Sequence, residues 1–339
     1  MKKLTALLLA LAMAMTMLLA GCSSTTESTA PAGSAAATDT GSAETAAPVE
    51  EEEADDEENY DTGDASLDDI RNQDDIGEQE LLVLSFGTSY NDSRRLTIGA
   101  IESDLADAFP DFSVRRGFTA NIIIDHVNDR DGILIDDVDA ALNRAIDNGV
   151  KTLVVQPTHL MNGLEYDELS EQVAQYADAF DKVVFGDPLL TSDDDFARVE
   201  KAITEWTADY DDGETAICFM GHGTEAESNE VYQKMQDLLT EDGYENYFVG
   251  TVEAEPSLED VLAKVKEGDY KRVILEPLMV VAGDHANNDM AGDEEGTWKK
   301  TFEDEGYEVE CLLRGLGENE DIRQIYIDHA QAAIDSLDQ

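Results

Sequence analysis

From residue 81 onward, short apolar runs alternate with longer amphipathic stretches, the pattern of βαβ units laid on a parallel sheet. The runs at 81–85, 113–118, 152–156, 182–185, 215–220, 247–251, 272–276 and 307–313 predict strands. Helices are expected between them at 94–109, 136–148, 165–180, 194–210, 229–240, 258–266 and 321–337. Asp147-Asn148-Gly149 and Glu241-Asp242-Gly243 supply turn chemistry at helix ends. The order of elements makes the fold class α/β.

The strand ends repeat. Leu84-Ser85-Phe86-Gly87-Thr88 matches Met220-Gly221-His222-Gly223-Thr224, and Gln156-Pro157 followed by Gly163 matches Glu276-Pro277 followed by Gly283 at the same offset. This predicts two similar lobes, 80–213 and 214–339, each a parallel sheet flanked by helices. Open parallel sheets bind ligands beyond the C-terminal ends of their strands, so the active site is expected in the cleft between the lobes.

Ahead of residue 80 the pattern changes. Lys2 and Lys3 precede an apolar run from Leu4 to Leu19, the layout of a secretory signal and short for a permanent membrane span. It closes on Leu19-Ala20-Gly21-Cys22, where small residues suit cleavage of a 1–21 signal peptide and the Cys22 thiol can carry a lipid. The alternative is an ordinary signal peptide with a chance cysteine. Residues 22–79 are Ser, Thr, Ala, Gly and Pro, then an acid block, and read as a disordered tether. The expected protein is exported, lipid-anchored on the extracytoplasmic side, and in contact with the membrane only through that anchor.

Charge narrows the partners. The formal net charge is −55, and acids outnumber bases well beyond the tether, so the surface repels nucleic acid and anionic headgroups. With Cys22 assigned to lipid, Cys218 and Cys311 remain, each in an apolar run. That pattern indicates inert core residues, not a zinc site or a disulfide framework. There is no P-loop in the sequence, and no nucleotide is expected.

Five histidines are the main candidates for chemistry. His329, beside Asp328 on the last helix, reads as a surface residue, and His126 fits either a loop or a helix start. His222 lies between two glycines directly after an apolar strand; it is either a functional imidazole or a turn histidine. Glu253 and His285 also sit at strand exits in the second lobe, so parallel order brings all three to one sheet edge. Two imidazoles and a carboxylate suit borderline divalent ions such as cobalt, nickel, iron or zinc. The first lobe has Phe86 in place of His222 and Glu165 in place of His285, so only the second carries the imidazoles. Asp284 and Asp289 either orient the His285 ring or belong to a solvated acidic loop.

At these residues the chain resembles the anaerobic cobalt chelatases of the sirohydrochlorin cobaltochelatase family, which have the class II chelatase fold. The matching segments are Ser85 to Ser89, Gln156-Pro157-Thr158-His159 with Asn162-Gly163, Met220 to Thr224, Gly250 to Glu253, Pro277-Leu278-Met279 and Ala282 to Gly292. The resemblance implies that His222, Glu253 and His285 hold the metal and that His222 also takes protons from the macrocycle. It implies Co2+ as the substrate metal, with Fe2+ or Ni2+ as alternatives that such ligands discriminate weakly. Removing pyrrole N–H protons while supplying a metal suits a histidine that titrates near neutrality.

Sirohydrochlorin is a polycarboxylate, so positive charge is expected in the cleft. Arg94 and Arg95, with Arg115 and Arg116, are the candidates, the alternative being ordinary surface pairing. Phe86 and Tyr90 are candidates for stacking on the ring, although Phe86 equally fits a core. His159 is either a structural histidine after Pro157 or an axial haem ligand. The competing reading is a surface lipoprotein that binds a metal, haem or a tetrapyrrole without turnover, and a homo-oligomer is compatible with either.

Overall fold

The computed structural model describes residues 62–337; the expected signal segment, Cys22 and the tether up to residue 61 lie outside the described residues. Among those described, β1 (Gln79–Ser85), β2 (Ser113–Phe118), β3 (Thr152–Pro157) and β4 (Lys182–Phe185) form one sheet in the order β2-β1-β3-β4. A second sheet of β5 (Thr215–Gly221), β6 (Tyr247–Thr251), β7 (Arg272–Pro277) and β8 (Glu308–Cys311) has the corresponding order β6-β5-β7-β8. Every pairing is parallel. The repeated segments therefore stand at equivalent places in two sheets of one topology. Central strands such as β5 are buried along their whole length, which is why they read as unbroken apolar runs and not as alternation.

In the first half of the chain the helices are α1 (Asn91–Leu96), α2 (Ile98–Ala108), α3 (Asn121–Asp131), α4 (Val138–Asp147), α5 (Leu164–Ala174) and α6 (Asp193–Thr207). The second half adds α7 (Glu230–Glu241), α8 (Leu258–Val265), α9 (Trp298–Asp304) and α10 (Glu320–Ser336). Capping boxes start α6 (Ser192 with Asp195) and α8 (Ser257 with Asp260), fixing where each helix leaves its loop. The expected helix at 94–109 is two helices meeting at Thr97. Neither α3 nor α9 was expected: the three isoleucines of α3 are consecutive and show no helical period, and α9 is only seven residues long.

The boundary expected at 213/214 divides the strands but not the helices. Although α6 ends the first half, it packs against the second sheet's elements. Phe196 lies 3.9 Å beneath the Lys234 ammonium of α7, the Thr207 and Tyr247 hydroxyls are 3.0 Å apart, and the Trp206 carbonyl accepts from Arg314. Reciprocally, α10 ends the second half but packs on β3, β4 and α2, with the Tyr326 hydroxyl donating to the Thr158 carbonyl (2.9 Å). One apolar core runs through both sheets, from Leu81 and Ile101 to Phe219, Ile322 and Tyr326.

The tether boundary at residue 79 is also corrected, since 62–78 forms a strap on the first lobe. The Thr62 carbonyl accepts from the Asp92 amide at the start of α1 (2.8 Å), and the Arg71 carbonyl accepts from Arg116 N in β2 (3.1 Å). The Asp68 carboxylate, 4% exposed, takes Arg94 Nε (2.7 Å) and both Arg116 terminal nitrogens (2.7 and 3.1 Å). Arg116 also binds Glu102 (2.7 and 2.8 Å). Burial works against ionising Asp68, yet the two arginines outweigh it and hold its carboxyl below the usual range. An aspartate that reads as part of a solvated acidic run is the counter-charge of a buried arginine pair.

The same contacts correct the expectation for the cleft cations. Arg94, Arg115 and Arg116 are buried, Arg115 between Glu80 and Asp136, and their charge is balanced inside the first lobe. Only Arg95 of the four is partly exposed, 3.1 Å from Asp92.

Candidate metal centre

Three parallel strands of the second sheet end at one edge, and the segment after each carries one polar side chain to it. His222 follows β5 directly. Gly223, at φ +93°, turns the chain there, and a Cβ on it would lie 2.8 Å from the Ala254 amide. That close approach lets the exits of β5 and β6 join: the His222 carbonyl accepts from the amides of Val252 (3.1 Å) and Glu253 (2.9 Å). Glu253 is thus fixed beside His222 by backbone bonds. After β7 the chain runs on to His285, which opens a π-helical turn, Ala286–Met290, a rare element that recurs at functional sites.

One ligand atom from each of His222, Glu253 and His285 can be chosen so that all lie within 4.8 Å of one another. The imidazoles meet edge to face with centroids 4.7 Å apart. His222 and Glu253 are about half exposed, whereas the His285 side chain is 17% exposed. Each ring has an acceptor at Nδ1. His222 Nδ1 is 2.8 Å from the Gly223 carbonyl, and His285 Nδ1 is 2.7 Å from Asp289 Oδ2. Both partners are acceptors, which favours the tautomer with the proton on Nδ1 in each ring.

Of the two loop acids, Asp289 is the one that orients His285; Asp284 accepts from the Asn288 side chain (Nδ2, 2.6 Å) and ties down the π-turn. Carboxylates of this kind fix ring orientation and raise ligand basicity. Asp289→Ala is therefore expected to weaken Co2+ binding by roughly ten- to a hundred-fold. Titration of the metal alone, followed by visible absorption, measures this, and parent-like affinity would show that Asp289 does not support the ligand.

The remaining candidates are dispersed. Phe86 is 36% exposed at the end of β1, the equivalent of His222, while Tyr90 is buried. His159 is buried, and burial lowers its pKa to about 4, so it stays neutral. Its nearest acid is Glu165, 3.8 Å away, and the ring lies in the interior where it is not presented as an axial haem ligand. His126 falls on α3. His329 is not a free surface group: its ring bridges the Asp187 carbonyl and Asp195 Oδ1, each at 3.1 Å. Cys218 is buried and Cys311 partly so, with burial pushing the Cys311 thiol up to about 11.

Sequence reasoning missed the first-lobe contacts around the segment that leads to His285. Ser93 Oγ of α1 accepts from the Ala282 amide (2.9 Å), and Arg130 of α3 donates to the Ser89 carbonyl (2.6 Å). A serine and an arginine on polar helices give no signal without the fold.

The family model described as Cobalt chelatase (CbiK) matches residues 79–335. A sirohydrochlorin cobaltochelatase of Salmonella typhimurium is 35% identical over 257 residues, covering 76% of this chain and 97% of that protein. The sirohydrochlorin cobaltochelatase CbiKC of Nitratidesulfovibrio vulgaris is 29% identical over 288 residues, covering 80% and 97%. Among solved structures, SirB from Bacillus subtilis with Fe3+ superposes with a TM-score of 0.55 at 12% identity, covering 78% of this chain and 98% of that one, a likeness of fold.

Proposed function

The chain belongs to the cobalt chelatase (CbiK) family, and from that premise we propose that it inserts Co2+ into sirohydrochlorin, without nucleotide and with release of the two pyrrole N–H protons. The observation that carries the reading is the convergence of His222, Glu253 and His285 at one sheet edge, with ligand atoms within 4.8 Å of one another. Such an N/N/O set binds Co2+ reversibly, and Fe2+ or Ni2+ would fit it as well.

The exposure of the three side chains suggests an order of events. His285, the most buried ligand and the one braced by Asp289, keeps the ion placed, while the more open His222 and Glu253 face the macrocycle. As the ion moves to the pyrrole nitrogens, His222 Nε2 loses its metal and becomes a base. Metal delivery and proton uptake then share one atom and cannot compete for it in time. Half-exposed Glu253 offers the proton a way to solvent.

The leader pattern and Cys22 support an exported, lipid-anchored form of this chelatase; they lie outside the described residues, among which no helix is long and apolar enough to cross a membrane. The test is anaerobic Co2+ insertion by the full-length chain, followed through the sirohydrochlorin absorption spectrum. Conversion faster than the uncatalysed rate is expected. Tight binding of metal or tetrapyrrole without acceleration would replace the catalytic reading with that of a carrier lipoprotein.

A further inference from the structure

The strap 62–78 precedes the family-matched residues, yet its contacts lead to the metal centre. Asp68 Oδ2 holds Arg94 Nε at 2.7 Å. The other end of that guanidinium donates to the Thr88 carbonyl (3.1 Å) and to Asn91 Oδ1 (2.5 Å), so one buried side chain fixes both the β1–α1 turn and the first turn of α1. Thr62 and Gly63 grip the same turn, through the Asp92 amide and the Asn91 side chain.

That turn is what the segment carrying His285 rests on. Ser93 Oγ accepts from the Ala282 amide at 2.9 Å. Gly283 lies so close to Thr88 that a Cβ there would stand 3.1 Å from Thr88 Oγ1. The carbonyl of Gly283 in turn accepts from Asn287 (2.7 Å), inside the π-turn that His285 opens. We propose that Asp68 is a positioning residue for the metal centre, acting through Arg94 and the Thr88–Ser93 turn on the Ala282–Gly283 backbone that places His285. The inference rests on the chelatase reading in taking His285 as a ligand.

The test is Co2+ titration of the full-length chain by visible absorption, with melting temperatures measured alongside. Asp68→Asn and Ser93→Ala are each expected to weaken Co2+ binding by roughly ten-fold, the low end for loss of outer support to a metal ligand, with Ser93→Thr restoring it. Glu102→Gln is the control. It touches Arg116 from α2 without reaching Thr88, so it should lower the melting temperature and leave Co2+ affinity unchanged. Parent-like affinity in both Asp68→Asn and Ser93→Ala overturns the proposal, and if Asp68→Asn fails to fold, parent-like affinity in Ser93→Ala alone overturns it. A parent chain that does not bind Co2+ would instead overturn the chelatase reading, and this inference with it.

Discussion

Replacing His222 with alanine is expected to slow cobalt insertion by about a thousand-fold, within the range that a positioned acid–base group contributes. The loss is large because one nitrogen does two jobs. Without Nε2 the ion keeps only Glu253 and His285, and the pyrrole protons lose their nearest acceptor. The fold should survive, since the His222 side chain is 42% exposed and leaves no cavity, and the neighbouring turn is held by backbone bonds from Val252 and Glu253. Anaerobic insertion kinetics beside a urea unfolding curve separate the two effects. An alanine variant that inserts cobalt at the parent rate would remove His222 from the mechanism. One that is inactive but also unfolds early would mean that the imidazole matters to the turn.

A chain begun at residue 79, where the family match starts, should be less stable by about 3–5 kcal/mol than one begun at residue 62, because it removes one partner of a buried ionic cluster. Without Asp68, Arg94 keeps only neutral acceptors, and Arg116 keeps Glu102 as its one direct carboxylate partner. Neither guanidinium can reach bulk water without moving, since both are buried. Urea denaturation of the two fragments measures the difference. Equal midpoints and slopes would show that water entering the gap compensates for the lost carboxylate. The practical result is that a soluble fragment for kinetic work should retain the strap.

What could be read from the sequence follows from the range of the forces involved. Buried parallel strands announce themselves locally as apolar runs, and parallel order then places their C-terminal ends along one edge. For that reason His222, Glu253 and His285 could be gathered before any coordinates, and the repeat correctly anticipated two sheets of one topology. Charge was the opposite case. Asp68, Arg94 and Arg116 look like surface residues in sequence, and only tertiary pairing turns them into core. His329 was misjudged for the same reason: whether an imidazole bridges two acceptors depends on elements far away in the chain. Asp289 was legible only as one of two choices, and the π-turn decided between it and Asp284.

The exchange of α6 and α10 between the lobes bears on how the molecule is made. A chain leaves the ribosome N-terminus first, and domains commonly fold in that order. Here the first sheet waits for its last cover: β3 and β4 are overlaid by α10, which ends at Ser336. Half of the molecule therefore cannot be finished while the other half is still being synthesised. The last helix to be made is thus the one that closes the first sheet, so the early half stays open until the late half arrives.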